Sequence, residues 1–228
     1  MSYRSHSGNN IAPVLALIIL CFLVYIATSI ANFIWNPGQQ TTLFDFCQRA
    51  SEIYRLYHSD INPLSFLLGL TPACFQCMPW TIVTNLFVHA NIWHILFNMI
   101  TLYFFGTFLL RLVGTRTFLL IYFLGGIMGN IFFMIFANFG IRATPYDIVV
   151  GASGAIFALG GALALITPRL RVFVFPIPAP MPLWVAVIGG FVLISFFPGV
   201  AWQGHLGGIV VGLIAGLILR RGVRTPLS

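Results

Sequence analysis

The sequence predicts an all-α integral membrane protein: a six-helix bundle with a long, partly embedded first external loop. Three observations carry this reading. The 228 residues are 59% hydrophobic and only 7% charged, whereas soluble domains are about a quarter charged. Six runs, at 11–35, 88–110, 117–141, 148–167, 181–197 and 201–219, contain no Asp, Glu, Lys or Arg. About 20 helical residues cross a hydrocarbon core of about 30 Å, and all but 181–197 are of that order. The third observation is where the charges fall.

All eleven basic residues are arginine. With the N-terminus in the cytoplasm, Arg4, Arg111, Arg116, Arg169, Arg171, Arg220, Arg221 and Arg224 lie inside, and only Arg49, Arg55 and Arg142 lie outside. That asymmetry follows the positive-inside rule, and it puts both termini in the cytoplasm. The four acids, Asp45, Glu52, Asp60 and Asp147, then all fall outside. The basic balance therefore reads as orientation and contact with anionic membrane lipids, not as nucleic-acid binding. The chain is expected to form one membrane domain over 1–228, without internal repeats.

Taken in order, run 11–35 is too long for a signal-peptide core and no small-residue cleavage site follows it, so it reads as a retained helix. The external loop 36–87 is long for a compact domain. Within it Leu43, Phe46, Ala50, Tyr54 and Tyr57 recur at helical spacing, with Arg49, Glu52, Arg55 and Asp60 between them. This predicts an amphipathic helix at the outer interface. "INPLSFLLGLTPA" is apolar but too short to span, which suggests a partly embedded loop. Cys47, Cys74 and Cys77 share this loop, while Cys21 lies in the first run. An external disulfide is the simplest use of them; "CFQC" is also half of a metal or redox site, with no partner pair following.

Runs two, four and six would all pass from outside to inside, so their first residues share one depth. His94 and Asn98 lie near the start of the second run, Ser153 near the start of the fourth and His205 near the start of the sixth. Ionisable groups in membrane helices are functional hypotheses by default. Singly, each has a plainer explanation: Ser153 as a small packing residue, a histidine as a packed donor, Asn130 as a bond between helices, and His89 as a loop or interface residue. Together, Ser153, His205, His94 and Asn98 at one depth read as a catalytic set. His205 is a base suited to taking the Ser153 proton at neutral pH, and no carboxylate lies in any run to orient it. Phe157, one turn below Ser153, could hold the imidazole by stacking. His94, Asn98 and the Ser153 N–H, at a helix N-terminus, could serve an oxyanion. Gly204, Gly208, Gly212 and Gly216 recur every four residues on one stripe, and the fourth run carries Gly151, Gly154, Gly160 and Gly161. Such stripes let helix backbones approach closely.

"GASGAIF", "HILFN" and "GHLGGIVVG" resemble the G-x-S-G, H-x-x-x-N and histidine-helix motifs of the rhomboid intramembrane serine proteases. The six-helix order and long first loop are similar to that family as well. The resemblance implies a rhomboid-like bundle and a serine endopeptidase without a cofactor or metal, cleaving single-pass transmembrane protein substrates in or near their membrane segment. By motif, Ser153 is the nucleophile, His205 the base, and His94, Asn98 and the Ser153 backbone the oxyanion site; Gly151, Gly154, Phe157, Gly204 and Gly208 support them. The short 181–197 helix corresponds to the family's lateral gate. A catalytically silent relative that binds transmembrane clients is the alternative, although such relatives usually lose the Ser or the His. Two positions depart from the family: Trp80 is followed by Thr81 rather than Arg, and Leu109 and Leu110 follow the Phe-Gly at 105–106 where many members carry a glutamate. The expected location is a prokaryotic cell membrane.

Overall fold

The computed structural model describes residues 10–34, 43–44, 46–173 and 179–221. Arg4, Asp45 and Arg224 of the charge pattern lie outside them. Eight α-helices follow in chain order among the described residues: α1 (Ala12–Ile34), α2 (Gln48–Tyr57), α3 (Pro63–Leu68), α4 (Thr81–Thr84), α5 (Ile92–Asn138), α6 (Ser153–Ile166), α7 (Leu183–Ser195) and α8 (Trp202–Leu219). Strands β1 (Arg171–Val172) and β2 (Met181–Pro182) pair antiparallel. Of these helices α1, α5 and α8 are long and apolar enough to cross a membrane. As one straight rod the 47 residues of α5 would reach about 70 Å, over twice a hydrocarbon core. The backbone breaks at Gly114 (φ 79°, ψ 165°), so α5 has two arms, 92–113 and 115–138. These overlap the apolar runs 88–110 and 117–141 without sharing their ends.

Two boundaries differ from those read in the sequence. The second run begins at 88, but helix starts only at Ile92, where the Asn91 side chain accepts from the His94 N–H at 2.9 Å. The fourth run begins at 148, but α6 starts at Ser153. Gly151, read as part of that helix, is outside it at φ +119°, and Val149 instead pairs with Leu70 in an antiparallel bridge. An apolar run records the solvent of a segment; it carries no signal for where the backbone turns helical.

The first loop is also more ordered than one amphipathic helix. Leu43 and Phe46 precede α2, whose start is capped by Cys47. The inner face of α2 (Ala50, Ile53, Tyr54) packs with Phe44, Phe66, Cys74 and Met78 into a small core of its own. Phe44 lies 4.8 Å from Tyr54 and 4.9 Å from Phe66, ring centre to ring centre. A disulfide joins Cys47 to Cys77, so the two cysteines of "CFQC" are not partners, and Cys74 stays a buried free thiol. Asn62 caps α3 through Ser65 N–H and donates to the Thr28 carbonyl of α1 at 3.3 Å, tying this unit to the helices.

At the centre stands α6. Ala155, Ala158, Leu159 and Ala162 have no exposed surface, and α5, α7 and α8 pack around it. A Cβ added at Gly208 or Gly212 would collide with the carbonyl of Gly154 or Ala158. At Gly216 it would lie 2.8 Å from the Ala162 carbonyl. Both helices thus touch at every fourth residue, backbone to backbone. Outward, α1 and the first arm of α5 present Ile19, Leu23, Ile30, Phe33, Phe97 and Phe104, each more than half exposed.

Candidate active site

The close contact of α6 with α8 decides where two polar side chains meet. Ser153 is the first residue of α6 and His205 lies in the first turn of α8. His205 Nε2 is 2.7 Å from Ser153 Oγ. The histidine is 6% exposed, and its Nδ1 is buried without a hydrogen-bond partner among the described residues. No carboxylate among the described residues therefore orients the ring through that nitrogen. The Phe157 ring lies 4.7 Å from the imidazole at 34°, and Phe191 of α7 meets Phe157 edge-on at 6.1 Å.

At the other side of Ser153, Gly151 allows a close approach. A Cβ there would sit 2.7 Å from His94 Nε2, and its φ of +119° is one that side chains rarely adopt. The Ala90 N–H donates to His94 Nδ1 at 3.4 Å. In a neutral imidazole this assigns the proton to Nε2, the nitrogen facing Gly151. Ala152 gives α6 no side-chain cap, so the Ser153 N–H, among the first donors of the helix, has no intrahelical acceptor. Asn98 is less directly placed: its Nδ2 donates to the His94 carbonyl at 2.8 Å, back along its own helix.

The supporting glycines act by different routes. Gly208 faces Gly154, whereas Gly204 lies against the second arm of α5, its would-be Cβ 3.7 Å from the Gly129 carbonyl. Its own carbonyl stands 2.5 Å from a Cβ built at Gly129 and 3.2 Å from one at Gly154. Gly129 was not among the expected residues, although the spacing Gly125–Gly129 is a small-residue signal of the same kind. His89 is buried, with its ring edge-on to His94 at 5.1 Å. A cleft of about 410 Å³ is lined by Ile148, Ala201, Gln203, His58, Arg142 and Asp147 among others, and neither Ser153 nor His205 belongs to its lining. Among the described residues no three His, Cys, Asp or Glu side chains converge as metal ligands would.

Such a Ser–His pair, with His94 Nε2 against Gly151 nearby, has parts that acyl transfer uses. The sequence matches the family model for the Rhomboid domain over residues 76–222. It is 28% identical over 148 residues to Rhomboid protein 1, mitochondrial, of Saccharomyces cerevisiae, covering 63% of this chain and 42% of that protein. It is 32% identical over 158 residues to RHOMBOID-like protein 12, mitochondrial, of Arabidopsis thaliana, covering 62% and 47%. Against Rhomboid protease GluP of Bacillus subtilis it is 32% identical over 141 residues, covering 61% and 26%. The matched stretch spans less than half the length of each of these relatives.

Proposed function

The chain belongs to the rhomboid family, whose members are integral membrane proteins, and from that premise we propose that it is an active intramembrane serine endopeptidase. The observation that carries the proposal is the 2.7 Å contact of His205 Nε2 with Ser153 Oγ. His205 takes the hydroxyl proton as Oγ attacks the scissile carbonyl, and returns it to the leaving amine. Water then repeats the cycle on the acyl-enzyme. The developing oxyanion is met by the Ser153 N–H, His94 Nε2–H and the Asn98 amide, with Asn98 turning from the His94 carbonyl to reach it. Phe157 holds the imidazole in place of an acid. No cofactor enters the scheme.

The substrates in this reading are single-pass transmembrane proteins, cut in or near their membrane segment. They arrive past α7, whose Gly189 and Gly190 face open space, and an extended stretch can lie in the cleft bounded by Ile148 and Ala201. All of 1–228 forms one domain with six membrane crossings, the α5 arms counting as two. The arginine asymmetry supports cytoplasmic termini. The deciding experiment is labelling of the purified protein with a serine-directed fluorophosphonate, together with cleavage of a transmembrane reporter. Wild type should be labelled and cleave, and Ser153→Ala should do neither. An unlabelled, inactive wild type of native stability would make the chain a silent binder of transmembrane clients.

A further inference from the structure

Two asparagines away from the Ser–His pair hold the segment that leads into Ser153. Asn85 begins the 3-10 turn Asn85–Phe87 at the end of the first loop, and Asn130 lies on the second arm of α5. They are 1% and 5% exposed. Asn85 Nδ2 donates to Asn130 Oδ1 at 2.9 Å, and Asn130 Nδ2 donates back to Asn85 Oδ1 at 2.8 Å. Asn130 Nδ2 also reaches the Ile82 carbonyl at 2.7 Å. On its other side Asn85 holds the chain before α6. Its carbonyl accepts from the Gly151 N–H at 2.9 Å, and its Nδ2 lies 3.5 Å from the Val149 carbonyl. Val149 is held again by Leu70, with bonds of 2.8 and 3.0 Å.

Stability alone does not call for such a pair, because two apolar side chains of similar shape can replace a buried hydrogen-bonded pair at little net cost. What they cannot replace is direction. Gly151 sits at φ +119° with the His94 ring against it, two residues before Ser153. A small rotation of the 149–151 backbone there would swing both the Ser153 N–H and its Oγ. We propose that the Asn85–Asn130 amide pair is a positioning device that sets the register of residues 149–151 and so aims Ser153 at His205 and at the oxyanion. Neither asparagine touches the reacting atoms. The inference rests on Ser153 being the nucleophile.

The test compares wild type, Ser153→Ala, Asn130→Ala and the double variant Asn85→Leu/Asn130→Leu, reconstituted in lipid. The readouts are thermal stability, kcat and KM on a transmembrane reporter, and hydrogen exchange at the Gly151 amide. In the double variant Tm should stay near wild type and KM within about twofold, while kcat falls about ten- to a hundredfold, the scale on which an ångström of misplacement is felt. Exchange at Gly151 should quicken. If the double variant does not fold, Asn130→Ala, which leaves Asn85 in place, is judged on the same kcat and exchange. A folded variant with wild-type kcat and a protected Gly151 amide overturns the proposal. Should wild type itself cleave nothing, the nucleophile reading fails, and Gly151 exchange alone decides whether the pair sets the segment.

Discussion

Ser153 Oγ and His205 Nε2 are hydrogen-bonded at 2.7 Å although 52 residues separate them in the chain. Nothing local joins them. The bond exists because Gly208 lets α8 lie directly on the Gly154 backbone, bringing the N-terminal ends of α6 and α8 together.

Ser153→Ala and His205→Ala should each abolish cleavage of a transmembrane reporter without unfolding the protein. The double variant should be hardly worse than either, since members of a catalytic unit are strongly non-additive. Asn98→Ala should leave measurable turnover: one oxyanion donor typically contributes about a hundred- to a thousandfold, and His94 and the Ser153 N–H remain. Single-turnover rates of the four proteins check this. A Ser153→Ala protein that cleaves at the wild-type rate would sink the assignment.

Phe157→Ala removes the ring against His205. Aromatic contacts of this kind contribute about 0.5–1.5 kcal/mol beyond burial, so kcat should drop about three- to tenfold while KM holds. Phe157→Tyr, which keeps the ring, should restore most of the loss. Equal loss in both variants would rule out the ring contact with His205 as the cause.

Glycines on two helices should respond in opposite ways. Gly208→Val drives a side chain into the Gly154 carbonyl, and overpacking of this kind costs about 1–3 kcal/mol or more; stability and activity should fall together. Gly189→Ala and Gly190→Ala meet nothing within 4 Å and replace glycine within a helix, which favours the folded state by about 0.5–1 kcal/mol. Thermal unfolding in detergent separates the two classes. A Gly208→Val protein as stable as wild type would contradict the α6–α8 contact.

Protein isolated without reductant should carry the Cys47–Cys77 bond and resist alkylation at Cys74. Burial pushes the Cys74 thiol up to about 11, with Arg49 pulling the other way. Its thiolate fraction should therefore rise about tenfold per pH unit through neutral and mildly alkaline pH, and labelling with it. Closing a loop of 30 residues' separation contributes about 3.7 kcal/mol in the loop-entropy account, so Cys47→Ser should lower the unfolding temperature and leave the Ser153–His205 chemistry intact. Mass mapping of alkylated peptides is the check, and free alkylation of all three loop cysteines would rule the bond out.

Reporter domains fused to either end should be active only if they function in the cytoplasm, and a reporter inserted between α1 and α2 only if it functions outside. The reverse pattern would put Ser153 near the cytoplasmic face.

Much of the helical layout was legible in the sequence, because a segment surrounded by lipid or by other helices must be apolar along its length, and apolar runs can be counted. The motif residues Ser153, His205, His94 and Asn98 could also be named, since polar groups are rare enough in such runs to stand out. Other features were decided only by the tertiary structure. The start of α6 at Ser153 depends on Leu70 pairing with Val149 and on the left-handed Gly151, contacts made by distant chain. The choice of Cys47 over Cys74 as partner for Cys77 depends on how α2 folds onto the 72–80 segment. Asn85 lies in an unremarkable "TNLF", and no local pattern links it to Asn130, 45 residues on. Composition records the medium around each segment, whereas the aim of a hydroxyl is set by directional bonds between segments, and those exist only once the chain has packed.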